Sequence, residues 1–225
     1  MTVNINYKKN NTNKISSNLV LFSNDKFDTK GLNRYLSKSE FSYISDLLKT
    51  SDLKKNMFVF EVNSKKKIII ISIKKNLKTS DIENLGAEFY GRINHGKNSE
   101  YFINTDSIPK KPDDFIGHFL HGLKLKSYEF KKYKTKKDIR ILSVNVVGNK
   151  NKPSIQKQLK FKAIEEGTFY ARDLVSEPGN VLHPDEYAKR LNSLRKDGLK
   201  VTVYDKKKLK KLGMNALLGV GMGSI

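Results

Sequence analysis

The sequence contains no cysteine among its 225 residues. Disulfide bridges, thiolate metal sites and cysteine nucleophiles are therefore excluded, and a reducing compartment is favoured. Long apolar runs are also missing: Ile68–Ile71 is far too short to span a bilayer, and the first ten residues lack the apolar segment of a secretory signal. These absences predict a cytoplasmic protein with no membrane partner.

Arginine is scarce, with six residues among the 44 basic ones. The formal net charge is nevertheless +21, so nearly all of the basic excess is lysine. A nucleic-acid partner is the first interpretation of such a charge, but arginine is the side chain that binds bases and phosphates bidentately. We therefore favour a lysine-covered, solvated surface. The densest cluster, FKKYKTKKDIR at 130–140, leaves a weak, salt-sensitive affinity for an anionic polymer open.

Short apolar segments alternate with helical stripes as far as residue 175. The predicted strands are 1–9, 19–22, 57–62, 67–73, 101–103 and 139–147. The predicted helices are 39–48, 80–93, 112–123 and 154–174. Ser80 and Glu83 have the spacing of a capping box, and Pro112 suits the start of a helix. The alternation predicts an α/β fold with a mixed sheet, flanking helices and a long linking helix at its end.

The pattern changes after residue 175. SEPGNVLHPDE at 176–186 holds two prolines, a glycine and an asparagine, and it predicts a defined loop that leads into a helix at Pro184. LKVTVYD at 199–205 alternates like a strand, a short basic helix follows, and the apolar NALLGVGMGS at 215–224 is predicted as another strand. We expect these elements to open a second α/β domain that is truncated at the end of the chain. The predicted domains are 1–152, a linking helix and loop at 153–180, and 181–225.

Three segments carry a family resemblance: ARDLVSEPGNVLHPDEYAKRL at 171–191, GLKVTVYDKKKLKKLGMNALLGVGMGS at 198–224 and FLHGLKLKSYEFKKYKTKK at 119–137. The first two resemble the stretch that joins the two lobes of the leucyl aminopeptidases, the cytosol aminopeptidase family of metallopeptidases. The third is similar to a helix and the following segment of that family's N-terminal lobe. The sequence departs from the family at Ser176, where many relatives have asparagine, and at His183, where threonine is frequent.

The resemblance implies an N-terminal lobe with a macro-domain-like fold and a catalytic lobe with two divalent metals, manganese or zinc. It also implies peptide substrates and a homo-oligomer, a hexamer in the family. The family's metal and catalytic residues lie in a Lys-to-Asp-Ser-Gly-Gly segment and an Asn-Thr-Asp-Ala-Glu-Gly-Arg segment, which this sequence does not contain. Asn104-Thr105-Asp106 is a chance fragment of the second and is assigned no role. We therefore predict no catalytic, cofactor-binding or metal residue in the chain, and no activity from it alone.

Other candidates for chemistry are weaker. His118 and His121 lie three residues apart without the H-E-x-x-H spacing of a zinc helix, so solvated or half-buried helix histidines are the favoured interpretation. His95 is typical of a helix-end turn. Asp173 and Glu177 lack the partner cluster that catalytic carboxylates require, and Ser224 has no identifiable base. Gly219, Gly221 and Gly223 lack the spacing of a dinucleotide loop and favour close strand packing.

A stand-alone binding module is the alternative to a partial aminopeptidase. It would be either a macro-like domain that holds an ADP-ribose-type ligand or a basic nucleic-acid binder. The first version is weakened because residues 1–150 contain no convincing glycine-rich phosphate loop. The second rests on the lysine excess alone.

Overall fold

The computed structural model describes residues 2–8, 17–94, 99–109, 114–136 and 140–223. The chain divides into two compact units, Met1–Gly167 and Thr168–Ile225. The domain limits drawn from the sequence, after residues 152 and 180, stay a prediction.

The first unit is built on one six-stranded sheet. Its strands are β1 Thr2–Tyr7, β2 Asn18–Asn24, β3 Met57–Asn63, β4 Lys66–Ile73, β5 Ser99–Asn104 and β6 Ile141–Val147. They lie in the order β1-β6-β5-β2-β4-β3, and every neighbouring pair is parallel except the β3–β4 hairpin. The mixed α/β fold predicted from the sequence is confirmed. The finer likeness to a macro domain stays a prediction.

The described residues also form seven α-helices. These are α1 Lys38–Thr50, α2 Thr79–Ile93, α3 Phe115–Lys126, α4 Ile155–Ser176, α5 Pro184–Ser193, α6 Lys206–Lys211 and α7 Asn215–Met222. None of the helices in these ranges is long and apolar enough to cross a membrane. The residue predicted to open α3, Pro112, lies outside the described residues.

The start of α2 differs from the predicted capping box. Ser80 and Glu83 were expected to cap the helix, and this prediction is wrong. The helix begins at Thr79, and the Asp81 carboxylate accepts the backbone N–H of Lys78 at 2.9 Å. Because Asp81 satisfies this N–H, the Glu83 carboxylate is left to bind another partner.

β4 carries the unbroken apolar run predicted for a central strand. Its side chains alternate between two cores because successive residues of a strand point to opposite faces. Ile69 and Ile71 pack in the core beneath α2 and α3, whereas Ile68 and Ile70 pack in the core beneath α1. All four are at most 1% exposed, so the prediction of a strand covered on both faces is confirmed.

Helices α2 and α3 approach each other closely enough to require glycine at two places. A Cβ atom at Gly86 would lie 1.8 Å from the carbonyl oxygen of Phe119, and one at Gly122 would lie 1.9 Å from the carbonyl oxygen of Glu83. Under this crossing, Phe22 of β2 meets the rings of Phe115 and Phe119 edge-on, at centroid distances of 5.5 and 5.7 Å. The two helices therefore form one packed layer with the sheet.

The regular elements that the structure describes in the second unit are helices. The predicted basic helix is confirmed as α6, but the two predicted strands are wrong. Residues 199–205 form no regular element, and the apolar run predicted as a strand at 215–224 is helix α7 over Asn215–Met222. A short apolar run has no clear period, so a buried strand and a helix segment look alike in the sequence. Gly219 and Gly221 lie inside this helix rather than in a strand turn.

Candidate functional site

The two histidines of α3 each bind a carboxylate. His118 Nδ1 lies 3.1 Å from Glu83 Oε1, and His121 Nδ1 lies 3.3 Å from Glu165 Oε1. The ring of Phe161 in α4 meets the His118 ring edge-on, with centroids 5.0 Å apart. His121 is 7% exposed and Glu165 is 9% exposed, so this second pair belongs to the interior. The pairs join α3 to α2 and to α4. The sequence favoured solvated or half-buried histidines; His118 is half-buried, whereas His121 is buried because Glu165 of α4 binds it.

Glu165 lies at the centre of a buried polar cluster. The Lys124 ammonium donates a 2.6 Å hydrogen bond to the carbonyl oxygen of Val3, which ties α3 to β1. Burial lowers the pKa of Lys124, and the negative charge of Glu165 opposes this shift. Burial also raises the pKa of Tyr7 to about 12, and the charge of Glu165 adds to the effect. The cluster thus connects β1, α3 and α4, and sequence reasoning missed it because its members are far apart in the chain.

We expect Tyr7 to be protonated in the folded chain above pH 10, where an ordinary tyrosine is ionised. Between pH 10 and its folded pKa of about 12, the folded state holds a proton that the unfolded state has released. The Tyr7 contribution to stability therefore falls as the pH rises through this window. The measurement is a near-ultraviolet titration of tyrosinate for the chain and for Tyr7→Phe.

The difference between the two titration curves should be one phenolate with a midpoint near pH 12. The same comparison in denaturant is the control, and its midpoint should return to about 10. A difference curve centred near pH 10 for the folded chain would contradict the buried environment of Tyr7.

The carboxyl ends of β2 and β5 form the place where an α/β sheet of this kind usually binds ligands. The chain leaves β2 toward β3 on one side and leaves β5 toward β6 on the other, so the connections diverge between these two neighbours. The turn Thr105–Ser107 follows β5 at this point. It contains Asp106, which belongs to the Asn104-Thr105-Asp106 fragment that was assigned no role from the sequence.

Asp106 binds the backbone of the loop that follows β6. Its carboxylate accepts the N–H of Asn149 at 2.8 and 3.0 Å and the N–H of Lys150 at 2.7 Å. The loop turns at Gly148, whose φ is +123°, and a Cβ there would lie 2.3 Å from the hydroxyl oxygen of Thr105. The backbone N–H groups of Asn149 and Lys150, which could otherwise bind a ligand phosphate, are therefore already occupied by a carboxylate of the chain.

Replacing Asp106 with alanine should lower the free energy of unfolding by about 2 kcal/mol, because two backbone N–H groups lose a charged acceptor. Urea unfolding of the chain and the variant measures the loss. Asp106→Asn is the matched control: it keeps one oxygen acceptor without the charge, so we expect roughly half of the effect. Equal stability of Asp106→Ala and the parent chain would show that water replaces the carboxylate without cost.

In the second unit, one arginine holds the loop predicted at 176–186. Arg190 donates to Glu177 Oε1 at 3.0 Å and to Glu186 Oε1 at 2.9 Å. The hydrogen bond to Arg190 lowers the pKa of Glu186, while Glu186 and Glu177 together raise the pKa of Arg190. The side chain of Glu177 is only 1% exposed, which indicates a structural ion pair. The backbone N–H of Glu177 donates to the carbonyl oxygen of Asp173, so this bond continues α4 into the loop.

The two departures from the family resemblance lie at the ends of this loop. Ser176 is the last residue of α4. His183 precedes Pro184, the first residue of α5, and its side chain makes no capping hydrogen bond. Threonine at such a position caps a helix through its hydroxyl, so the helix start here depends on Pro184 instead.

The described residues do not form a metal centre by themselves. No three side chains of His, Asp or Glu come together in the ranges that the structure covers. Two further candidates, His95 and Ser224, lie outside those ranges. The prediction that the metal and catalytic residues lie elsewhere in the protein stays a prediction, and no chemical step is assigned to these side chains.

Comparisons with known proteins identify the family. Residues 169–225 match the model described as "Cytosol aminopeptidase family, catalytic domain". The "Probable cytosol aminopeptidase" of Bradyrhizobium sp. (strain BTAi1 / ATCC BAA-1182) is 37% identical over 153 residues, which is 65% of this chain and 30% of that protein. The protein with the same description from Phytoplasma mali (strain AT) is 42% identical over 116 residues, 48% of this chain and 23% of that protein.

The chain belongs to the cytosol aminopeptidase family. It spans about a third of the length of the curated family members that it matches. Two solved structures share its fold: a mutant of tomato leucine aminopeptidase has a TM-score of 0.66 at 14% identity, covering 94% of this chain and 46% of its own. The cytosol aminopeptidase from Coxiella burnetii has a TM-score of 0.61 at 14% identity, covering 91% of this chain and 41% of its own.

Proposed function

We propose that this chain is the N-terminal portion of a leucyl aminopeptidase, a metal-dependent exopeptidase that releases N-terminal amino acids from peptides. The observation that carries the proposal is the match of residues 169–225 to the family's catalytic domain. The curated relatives support it, because they are described as probable cytosol aminopeptidases. The family also favours the cytoplasmic location expected from the composition.

The roles that we propose for the three segments follow the predicted domain limits. Residues 1–152 would form the N-terminal lobe, 153–180 the linking helix and loop, and 181–225 the first part of the catalytic domain. Two observations support these limits: the last strand of the sheet ends at Val147, and α4 begins at Ile155. We further propose that the first lobe is macro-like and serves assembly of a homo-oligomer and access to the catalytic lobe, as the resemblance implies.

The complete enzyme would hold two divalent metals, manganese or zinc, which activate water for attack on the peptide carbonyl. One structural neighbour supports manganese: the bottromycin maturation enzyme BotP was solved in complex with Mn, and its TM-score to this chain is 0.61. Because the described residues bring no three metal-binding side chains together, the ligands would come from outside these ranges. The described residues would then position the catalytic lobe rather than bind the metal.

The test of this proposal is a leucine-amide hydrolysis assay with added manganese or zinc. We expect no turnover from the 225-residue chain by itself. A chimera that joins this chain to the remaining part of the Bradyrhizobium relative should release leucine in a metal-dependent way. The intact relative is the positive control, and the chimera with a chelator is the negative control. Turnover by the 225-residue chain alone, or a folded chimera without activity, would contradict the proposal.

The stand-alone binding module is not favoured. Its macro-like version needs free backbone donors at the carboxyl ends of the strands, and those of Asn149 and Lys150 bind Asp106. Its nucleic-acid version rests on the net charge of +21, which a lysine-covered surface explains equally well. The curated relatives are probable aminopeptidases, which neither version accounts for.

A further inference from the structure

One edge of the sheet is open along β3. Within the part of the chain that the structure describes, this strand pairs only with β4 and forms the last position in the strand order. An edge strand offers a row of backbone donors and acceptors to another extended chain. Proteins that tolerate such an edge either block it or use it for binding.

The hydrogen-bond phase of the hairpin shows which groups are available. The N–H of Ser72 donates to the carbonyl oxygen of Asn56 at 2.8 Å, which makes this a hydrogen-bonded pair. Such pairs recur at every second residue of an antiparallel hairpin. From Asn56 to Phe60 the even-numbered residues therefore turn their backbone groups to β4, whereas Met57 and Val59 turn theirs to the open edge. The pairing register shifts between Glu61 and Asn63, so this alternation ends there.

A groove runs beside this edge, between β3 and α2. Its volume is about 720 Å³. Val59 is 38% exposed along it, and the facing wall of α2 presents the small residues Ala87 and Gly91. A Cβ at Gly91 would meet no atom within 4 Å, so the groove is open at that point. A strand added to β3 would place alternate side chains in this groove, which is how sheet-edge peptide sites obtain specificity.

The rim of the groove is charged and has an excess of basic groups. Its charged side chains are Glu61, Lys67, Glu88, Arg92 and Lys126. Lys67 binds Glu61 at 2.6 Å, and Arg92 lies 3.9 Å from Glu88. Within the described residues, the ammonium group of Lys126 has no ion-pair or hydrogen-bond partner. A bound segment that carries carboxylates would pair with it.

We propose that the groove between β3 and α2 binds an extended acidic peptide segment, which adds to the sheet as a strand beside β3. The backbone of the segment pairs with Met57 and Val59, and its apolar side chains pack on Val59 and Gly91. Its carboxylates bind Lys126. The residues that line the groove belong to the first unit and are not part of the segment 169–225 matched to the catalytic domain.

The charge of the chain favours an acidic segment over a second copy of itself. Two copies paired through β3 would bring two molecules of net charge +21 together, with the same basic rim on each side. Like charges at an interface disfavour association, whereas an acidic partner is attracted over a longer range.

Fluorescence anisotropy with the labelled octapeptide Val-Thr-Asp-Thr-Val-Thr-Asp-Thr tests the proposal on the 225-residue chain. Its valines and aspartates lie on the same face of a strand, so both can enter the groove. We expect saturable binding that weakens with salt and is lost when lysine replaces aspartate. Two N-methylated versions, one modified at the valines and aspartates and one at the threonines, test strand pairing. One of the two should lose binding and the other should keep it, because only alternate N–H groups of a strand face its neighbour. No binding, or equal binding of both versions, would overturn the proposal.

Two variants, Val59→Pro and Gly91→Leu, test whether the peptide binds in this groove. Val59→Pro removes an outward N–H that the hairpin does not use, so the fold should persist while peptide binding weakens about tenfold or more. Val59→Thr keeps that N–H and is the matched control. Gly91→Leu fills the groove and should also weaken binding by at least about tenfold. Urea unfolding confirms that each variant folds.

The position of the acidic residues is tested by Lys126→Glu. It should weaken the aspartate peptide roughly fivefold and improve binding of the lysine peptide. Unchanged affinity in Val59→Pro and Gly91→Leu would overturn the assignment to this groove. Dimers that form on sedimentation and disappear in Val59→Pro, without peptide binding, would assign the edge to a second copy instead.

Discussion

Gly86→Ala is expected to lower the free energy of unfolding by about 3 kcal/mol. The new methyl group would lie 1.8 Å from the carbonyl oxygen of Phe119, a backbone atom that cannot move without displacing α3. Because α2 and α3 cover the same core, their separation would also loosen the contacts of that layer with the sheet. Urea unfolding followed by circular dichroism measures the change.

Gly91→Ala is the matched control on the same helix. No atom lies within 4 Å of its would-be Cβ, so only the helix propensity changes. Alanine is the better helix former, and we expect stabilisation of about 0.5–1 kcal/mol. The same substitution should therefore have opposite signs at two positions of α2. Equal effects at Gly86 and Gly91 would contradict the close approach of the two helices.

Phe119→Ala is expected to cost about 4 kcal/mol of unfolding free energy. The side chain is fully buried, and its ring contacts the rings of Phe22, Phe89 and Phe115. Removing it leaves a cavity between α3 and the sheet, and the closely packed neighbours can fill it only partly. Chemical denaturation of the variant measures the loss, and an unchanged m-value shows that the transition remains two-state.

Phe119→Leu separates the cavity from the loss of the aromatic contacts. Leucine keeps most of the apolar volume, so we expect a cost of about 1.5 kcal/mol. If leucine destabilises the chain as much as alanine does, ring geometry rather than volume determines the packing at this position.

The strands and helices of the first unit were predictable because their signals are local. The run at Ile68–Ile71 predicts a strand buried on both faces, and the structure places it between β2 and β3. The hairpin around residues 63–66 follows from a polar turn between two apolar segments. The stripes that predict α1 and α4 also need only neighbouring residues.

The second unit shows where local signals fail. The alternation of 199–205 indicates a strand, yet a strand needs a partner for its backbone groups, and these residues form none in the structure. After Asn215, the run at 216–222 holds only apolar residues and glycine, so it has no period to distinguish a strand from a helix. The alanine and two leucines at 216–218 are strong helix formers, and they outweigh the two glycines that follow.

The long-range hydrogen bonds of the candidate site could not be predicted from the sequence. Asp106 binds residues more than forty positions later in the chain, and Glu165 binds His121 at a similar separation. Such bonds depend on how strands and helices are placed in space, which no motif of the sequence records. Asp106 looked like a fragment of a catalytic motif, and its carboxylate instead fixes a loop.

The first strand in the sequence, β1, pairs with the last strand in the sequence, β6. Thr2–Tyr7 pairs in parallel with residues 141–146 and, among the described strands, with no other. On a ribosome that adds about ten residues per second, the N-terminus would wait more than roughly ten seconds for its neighbour to be synthesised. During translation this segment is therefore available to chaperones, and the sheet closes only after β6 has left the exit tunnel.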